Sequence, residues 1–559
     1  MAQEAVTLLR NSNAIVPITH LEQHKIGYVN FLTSKHDSLL AGMQRFAEVR
    51  AIHLNPKLSL DAQVAAATKN KTLIVIALSA TGYSPSKHFG LKNSAVNFAK
   101  ACAKRIPTIL VFMGTPYALA QLFPLDDFAA VLQAYDTSTF TQDALSQVLF
   151  GALPAQGILP VHLPPDLKRG DGLTTQAGIR LSYQMPEAHG ANPFFIARTD
   201  SLAQLGIDSA AYPGIQILAY HRGDVFYRKN YGRTTYSAFS PPVTDTTLYD
   251  LASVTKITAT TPLVMRLVEK KKLHLDSTIA CYLPEYKDTP IAKITLAQLL
   301  LHRADLKAWK PFYIKTLEAL KPGESIIERT QSAAFSIYMG KNRYMNQLCA
   351  PSPYFYADTP SDAYPIPVAY HLWGRRGMRD SILHEIATTP LEKKKGYRYS
   401  DWGFILLQQI VERVEATSIE TLLQRHYWKP LGMWRTSFTP WRYVLREACA
   451  PSEFDLFFRK TEVKGYVHDM AAAMLGGVAG HAGLFSTADD LAKYAALLIR
   501  GGEYGKLRYL LPFTIADFSQ TPQGYKDNYR GYGFDKPNPK KRGTYYVPAA
   551  VSLKSYGHI

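Results

Sequence analysis

Two short motifs in the second half of the chain combine residue types that can activate a serine. Ser253 and Lys256 form S-V-T-K at the start of a stretch whose apolar residues recur at helical spacing. A lysine three residues after a serine lies on the same helix face, where it can hold or accept the hydroxyl proton. Serine is also a common helix cap, so a purely structural interpretation stays open. The same pattern at Ser84 and Lys87 lies in a Gly/Pro-broken stretch that would not hold the pair in register.

Tyr399 and Asp401 form Y-S-D ahead of another strongly apolar stretch. A tyrosine close to a lysine ammonium can act as a general base, and an Asx side chain two residues later can orient its neighbours. The triplet Tyr-x-Asx also begins at Tyr28, Tyr344 and Tyr356, so a helix cap is the simpler interpretation of any one copy. The motif gains meaning only from its position relative to Ser253.

The elements that would position these motifs fall into two regions. Residues 1–165 alternate apolar runs such as "KTLIVIAL" and "PTILVFMG" with helical stretches, which predicts an α/β layer domain. A Pro- and Gly-rich stretch predicts a linker over residues 166–196. Residues 197–559 open with a helical stretch and a hairpin, "GIQILAY" and "VFYRKNYG" around a polar turn, and "GTYYVPAA" returns to β type near the end. This second region is predicted to be an α+β domain.

The order of the motifs resembles that of a known family. Ser-x-x-Lys after a hairpin, Tyr-x-Asx about 150 residues later and a closing β region are similar to the β-lactamase-related serine hydrolases. "ITLAQLLLHRADL", "KPLGMWRTSF" and "GGVAGHAGLFSTADDLAKYAALL" extend the resemblance to class C β-lactamases, D-alanyl-D-alanine carboxypeptidases and esterases. It implies a penicillin-binding-protein-like fold, Ser253 as the nucleophile of an acyl-enzyme, and Lys256 and Tyr399 as its activating partners. It also implies Asp401 and His558 as substrate-binding residues, and a small ester, amide or cell-wall fragment as substrate.

Three positions depart from the pattern that the resemblance implies. Asp401 stands where many members have asparagine, and a carboxylate accepts hydrogen bonds but cannot donate them. Pro262 lies inside the predicted helix that carries Ser253, and it is expected to kink that helix well beyond the nucleophile. Asp305 occupies a turn position usually held by glycine, which predicts strain or a rearranged loop.

The first region resembles a different family. "AQEAVTLLRNSNAIVPI", "TILVFMGTPYAL" and "GALPAQGILPVHLP" are similar to the C-terminal α/β domain of family 3 glycoside hydrolases of the β-N-acetylhexosaminidase type. In that family the two catalytic carboxyl groups come from a barrel, and no barrel-length segment comes before Met1. The region is therefore predicted to be non-catalytic, with four acids as surface or turn residues: Asp61, Asp126, Asp127 and Asp136.

The sequence stops at "SYGHI", where the family's third motif would begin. His558 then stands at the cationic or proton-handling position of that motif, and the expected Thr-Gly does not follow. This predicts a β-lactamase-like domain truncated at its C-terminal sheet, with little or no turnover. The alternative function is that of a catalytically impaired remnant that acts as a binding or scaffold protein.

Composition limits the other classes of protein to which the chain could belong. The 559 residues carry a formal charge of +18, but the basic groups are short and dispersed, so nucleic-acid binding is not favoured. No run approaches the ~18 apolar residues of a membrane span, and no signal peptide is recognised, although relatives of this kind are often found in the cell envelope. The four cysteines are far apart and are predicted to be buried thiols, with no metal site or cofactor. His481 is interpreted as a hydrogen-bonded core residue, and the oligomeric state is left undetermined.

Overall fold

The computed structural model describes residues 2–32, 37–82, 84–319, 324–443, 446–525, 528–543 and 548–558. Its first region contains a six-stranded sheet with the order β1-β6-β5-β4-β2-β3. β1 runs antiparallel to β6 and all other neighbours are parallel. The strands are β1 (Thr7–Asn11), β2 (Ile26–Phe31), β3 (Val49–Ala51), β4 (Leu73–Ala80), β5 (Thr108–Gly114) and β6 (Ala130–Ala134).

Helices cover this sheet, as the alternating apolar runs predicted. β4, β5 and β6 are buried along their whole length, because a parallel strand with layers on both faces has no solvent side. The edge strands β1 and β3 were not predicted, because their sequences contain too few apolar residues to form a recognisable strand pattern. The helices are α1 (Ala2–Ala5), α2 (Ser38–Met43), α3 (Leu60–Thr68), α4 (Asn93–Ala103) and α5 (Thr139–Leu149).

The predicted hairpin forms two strands of a second sheet, which has three strands in the order β7-β9-β8. β8 (Gly214–His221) and β9 (Asp224–Gly232) pair antiparallel around the turn Arg222–Gly223. β7 (Ser182–Tyr183) joins β9 in parallel, and α6 spans Pro193–Asp208. The stretch 166–196, predicted to be a linker, therefore contributes a strand and the start of a helix.

In the second region, helices alternate with irregular segments and with short paired strands of two to four residues. The longer connections between residues 317 and 374 are made of such pairs. The helices are α7 (Thr261–Glu269), α8 (Ile279–Tyr282), α9 (Leu296–Leu300), α10 (Met378–Thr388), α11 (Asp401–Glu415), α12 (Ile419–Leu423), α13 (Lys429–Leu431), α14 (Met470–Met474), α15 (Ala488–Ile499) and α16 (Pro512–Ser519). The short strands are β10 (Tyr249–Asp250), β11 (Leu317–Glu318), β12 (Ile327–Glu328), β13 (Ile337–Tyr338), β14 (Tyr344–Met345), β15 (Ala350–Pro351), β16 (Tyr356–Ala357), β17 (Ile366–Ala369), β18 (Leu372–Gly374), β19 (Phe485–Ser486), β20 (Glu503–Tyr504) and β21 (Leu507–Arg508).

The two regions share one hydrophobic core. Buried residues of one sheet face, α2 and α5 belong to the same cluster as the buried residues of α7, α11 and α15. Polar contacts join the regions as well: the Trp434 indole N–H donates to the Gln44 carbonyl at 2.8 Å. Gly432 has φ 72°, and an added Cβ there would clash with the backbone carbonyl of Phe46, so only glycine allows this close approach.

Four acids of the first region, the cysteines and the stretch "GTYYVPAA" were each the subject of a prediction. Asp61, Asp126, Asp127 and Asp136 are exposed, as predicted for surface residues. The expectation of four buried thiols is wrong for Cys281, which is exposed because α8 is a short helix at the surface. Half of "GTYYVPAA", residues 544–547, lies outside the described residues. Among the helices that the structure describes, none is long and apolar enough to cross a membrane.

Candidate active site

Ser253 lies in a 3₁₀ turn, Ala252–Val254, directly after β10. Ala252 has φ 44°, in the left-handed region that costs a residue with a Cβ about 1 kcal/mol or more. The Asp250 carboxylate holds this backbone by accepting from the Ala252 N–H at 2.9 Å and from the His468 N–H at 2.6 Å. The strained turn places the Ser253 side chain at the start of the next helical stretch.

Lys256 opens a π-helical stretch, Lys256–Thr260, that leads into α7. Pro262 was expected to kink the helix well beyond the nucleophile, but the irregular stretch lies before Pro262 and begins at Lys256. Pro262 has no backbone N–H and therefore cannot donate a hydrogen bond to a carbonyl of the preceding turn. In the widened π-helical turn, the Thr261 hydroxyl donates to the Lys256 carbonyl at 2.8 Å. The sequence failed here because the effect of a proline on a helix falls on the residues before it.

The Lys256 side chain is fully buried, and its ammonium makes three hydrogen bonds. Its Nζ donates to Ser253 Oγ at 2.9 Å, to Asp401 Oδ1 at 2.7 Å and to the His481 carbonyl at 3.2 Å. An ammonium has three hydrogens, so each has its acceptor. The carboxylate of Asp401 therefore neutralises a buried cation that also holds the serine.

Tyr399 reaches the same serine from the segment before α11. Its hydroxyl donates to Ser253 Oγ at 2.8 Å, and Lys256 Nζ lies 4.9 Å from its ring centroid. His302 fixes the segment, since its carbonyl accepts from the Arg398 N–H at 2.8 Å and its Nδ1 accepts from the Ser400 N–H at 3.1 Å. Two donors thus converge on one oxygen, one from the π-helical stretch and one from the segment before α11.

His558 lies next to the same Tyr399 hydroxyl that contacts the serine. Its Nε2 lies 3.5 Å from the Tyr399 hydroxyl, at the outer limit of a hydrogen bond, and its Nδ1 lies 3.5 Å from Asp535 Oδ2. Reciprocal backbone bonds of 2.7 and 3.0 Å between Asp535 and Gly557 place the histidine. Arg530 forms an ion pair with the same carboxylate. Asp535 and Arg530 were missed because neither belongs to a motif with recognisable spacing.

Two ionisable groups below the site have shifted pKa values. Burial, together with the positive charges of Arg530 and Lys256, holds the pKa of His302 well below its usual value. Burial alone would raise the pKa of Asp469, but His481 outweighs it and brings that pKa to about 2. His302 belongs to "LLLHRADL", a segment already used for the family resemblance, so its importance could have been suspected from the sequence.

We expect His302 to make the stability of the fold depend on pH. A histidine kept neutral when folded but free to bind a proton when unfolded stabilises the fold above about pH 6.5 and loses that contribution as pH falls. One such proton gives a slope of up to about 1.4 kcal/mol per pH unit. His302→Gln keeps an acceptor for the Ser400 N–H but cannot titrate, so the free energy of unfolding should vary less between pH 7.5 and pH 5.5.

Urea denaturation at each pH measures this effect. The matched control is His162→Gln, because His162 is exposed and its replacement should leave the slope unchanged. A slope in His302→Gln equal to that of the unaltered protein would show that another group carries the acid sensitivity.

The structure brings together most of the side chains singled out in the sequence. Ser253, Lys256, Tyr399 and Asp401 meet around one hydroxyl, with His558 beside Tyr399. Ser84 does not take part in such a group, since its Oγ pairs with Ser86 in an irregular turn.

The flanking residues follow the expectations in part. Asp305 has φ 53°, which confirms the unusual backbone expected where glycine is common. His481 is buried and bonds Asp469 at 3.0 Å, as expected of a core histidine. His468, next to Asp469 in the chain, is about half exposed and pairs with Glu453.

A buried lysine and a tyrosine that both hold one serine, on a helical domain packed against a hairpin sheet, define the class of penicillin-recognising serine hydrolases. A model of the β-lactamase family matches residues 199–558, which is more than half of the chain. The chain belongs to the β-lactamase family, and its C-terminal region has the β-lactamase and penicillin-binding-protein fold.

Individual proteins are similar to this chain in sequence or in structure. A putative D-alanyl-D-alanine carboxypeptidase of Salmonella agona (strain SL483) is 27% identical over 398 residues, which cover 68% of this chain and 80% of that protein. Among solved structures, an octameric penicillin-binding protein homologue from Pyrococcus abyssi has a TM-score of 0.41 at 20% identity, with 61% of this chain and 64% of that chain covered. A D-alanine carboxypeptidase from Burkholderia cenocepacia has a TM-score of 0.40 at 17% identity, with 62% and 76% covered.

Proposed function

We propose that this protein is a serine hydrolase that forms an acyl-enzyme on Ser253 and acts on an ester or amide, with fragments of cell-wall peptidoglycan as the candidate substrate class. The observation that carries the proposal is the convergence of Lys256 Nζ and the Tyr399 hydroxyl on Ser253 Oγ, at 2.9 and 2.8 Å. A serine is a weak nucleophile unless a neighbouring group takes its proton as it attacks. The relatives whose names include carboxypeptidase activity support the choice of substrate class.

Tyr399 is the group best placed to take that proton. Lys256 is paired with a carboxylate and uses all three of its hydrogens, so it acts as a fixed cation that holds the serine and stabilises developing negative charge. The Tyr399 hydroxyl hydrogen first turns from Ser253 Oγ to His558 Nε2. The Ser253 proton then passes to the Tyr399 oxygen while the Tyr399 proton passes to His558 Nε2. Asp535 then stabilises the imidazolium that results, and acts through His558 as a positioning residue.

The bonds made and broken balance in two half-reactions. Ser253 Oγ forms a bond to the carbonyl carbon, and the π pair moves to the carbonyl oxygen. When the tetrahedral intermediate collapses, the bond to the leaving alcohol or amine breaks and Tyr399 returns the proton to it, recovering its own from His558. Water then attacks the acyl-serine by the same proton path, which releases the acid and restores Ser253.

Covalent labelling tests the proposal directly. The protein is incubated with a fluorescent penicillin and, separately, with a fluorophosphonate, and the adduct is located by intact mass and peptide mapping. We expect one adduct, on the peptide that contains Ser253, and the same adduct in Ser84→Ala. An adduct on Ser84, or on the exposed thiol of Cys281, would contradict the assignment.

We further propose that residues 1–165 form a non-catalytic domain of the family 3 glycoside hydrolase type, with residues 166–196 leading into a serine hydrolase domain over 197–559. The exposed positions of Asp61, Asp126, Asp127 and Asp136 support this, because a glycosidase holds two carboxyl groups across one scissile bond. Cleavage of a chromogenic N-acetylglucosaminide that survives Ser253→Ala would contradict it. If no probe labels Ser253, the alternative of an impaired binding or scaffold protein is favoured instead.

A further inference from the structure

Asp401 presents one carboxylate oxygen to Lys256 and leaves the other available. Its Oδ1 accepts from Lys256 Nζ at 2.7 Å, and its backbone N–H donates to the Ala308 carbonyl at 3.1 Å. Within the described part of the chain, no group bonds Oδ2. The side chain is 17% exposed whereas that of Lys256 is fully buried, so the carboxylate lies between the buried cation and solvent.

The carboxylate also sets the charge of the site. Lys256 is balanced by Asp401, Arg530 is balanced by Asp535, and His302 is kept neutral by its buried position. An amide side chain at position 401 would leave the Lys256 charge unbalanced and would offer an N–H donor to the substrate. The carboxylate removes that excess positive charge and offers only lone pairs.

We propose that Asp401 makes this site select substrates that carry an ammonium group next to the scissile carbonyl over substrates that carry an acylamino group there. The inference rests on the proposed function, in which Ser253 attacks that carbonyl. Lys256 Nζ bonds both Ser253 Oγ and Asp401 Oδ1, so the Asp401 carboxylate lies close to the nucleophile. A substrate group that contacts Asp401 is therefore only a few covalent bonds from the carbonyl carbon that Ser253 attacks.

The preference follows from the hydrogen-bonding capacities of the two substrate groups. An ammonium donates a charge-assisted hydrogen bond to Oδ2, and such bonds are about twice as strong as neutral ones. If an acylamino group turns its carbonyl towards Asp401, the carbonyl oxygen faces Oδ2 of the carboxylate. Both oxygens are acceptors, so neither receives a hydrogen bond. We expect a preference of about 10- to 100-fold, the range of one hydrogen bond to a charged group.

A pair of achiral esters measures the preference. Glycine methyl ester carries the ammonium, and N-acetylglycine methyl ester carries the acylamino group. We expect kcat/KM for the first to exceed that for the second by at least about tenfold in the unaltered protein. Asp401→Asn, which replaces the carboxylate by an amide of nearly the same shape, should lower this ratio to one or below.

Asp305→Asn is the matched control variant. Asp305 also pairs with a lysine, Lys395, at 2.8 Å, and its side chain is 14% exposed, but it makes no contact with Ser253. This variant should keep the ratio of the unaltered protein. A ratio that changes equally in both variants would contradict a specific role of Asp401.

Binding to Ser253→Ala separates this inference from the proposed function. Dissociation constants of glycine p-nitroanilide and N-acetylglycine p-nitroanilide are measured by titration, with and without Asp401→Asn. If Ser253→Ala binds both anilides equally and Asp401→Asn leaves the ratio unchanged, the inference is wrong, even where Ser253 is labelled in the unaltered protein. If the ammonium form binds more tightly through Asp401 but no probe labels Ser253, the binding preference of Asp401 is confirmed and the proposed function is wrong.

Discussion

Replacing Ser253 by alanine should lower the hydrolysis of an activated p-nitrophenyl ester by at least about 10³-fold, to the rate of buffer alone. The substitution removes the oxygen that Lys256 and Tyr399 both contact, so no acyl-enzyme can form. Release of p-nitrophenol, followed at several protein concentrations, measures the rate.

Ser84→Ala is the control, because Ser84 begins the other Ser-x-x-Lys sequence of the chain and lies in an irregular turn. Its rate should equal that of the unaltered protein. If Ser253→Ala keeps more than a tenth of the original rate, hydrolysis takes place elsewhere and the candidate site is wrong.

Replacing Lys256 by methionine should impair both turnover and stability. Loss of the buried cation leaves the Asp401 carboxylate without its partner, which costs about 3 kcal/mol of unfolding free energy. The serine also loses the ammonium that positions it, for which we expect a rate reduction of about 10²-fold or more. Adding Asp401→Asn should recover most of the stability, since no unpaired charge remains, but none of the activity.

Lys493→Met provides a matched comparison. Lys493 is as deeply buried and pairs with Asp490 at 2.8 Å, three residues away in α15. Its replacement should destabilise the protein to a similar extent and leave the rate per folded molecule unchanged. Equal loss of rate in the two variants would mean that Lys256 acts only through stability. Chemical denaturation and active-site titration provide the two quantities.

The sequence predicted the elements that carry a strong pattern. The buried runs at β4 and β5 and the hairpin of β8 and β9 were predicted, because continuous apolar residues and alternation around a turn are local signals. β1 and β3 were not predicted, since edge strands need less apolar surface and depend on their partner for pairing. The strand β7 inside the expected linker has only two residues, and its pairing with β9 is a long-range contact.

The site could be predicted where residue type and spacing together imply a contact. Ser253 and Lys256 are three residues apart, so their meeting follows from helix geometry. The contact of Asp401 with Lys256 spans 145 residues, and that of Asp535 with His558 depends on a backbone bridge at Gly557. Such contacts depend on how distant segments pack, and no local pattern encodes them. The departure of Asp401 from the family pattern was visible, but its pairing with Lys256 was not.

The core shared between the two regions has a consequence for how this gene could have evolved. Once α2, α5 and one face of the first sheet pack into the same interior as α7, α11 and α15, neither half can be exchanged by recombination without uncovering apolar surface on the other. The hydrogen bonds that Trp434 and Arg435 donate to the Gln44 carbonyl, at 2.8 and 3.1 Å, would also be lost if the halves were separated. The arrangement is therefore no longer modular, and substitutions on either side of the junction are expected to accumulate as a single inherited unit.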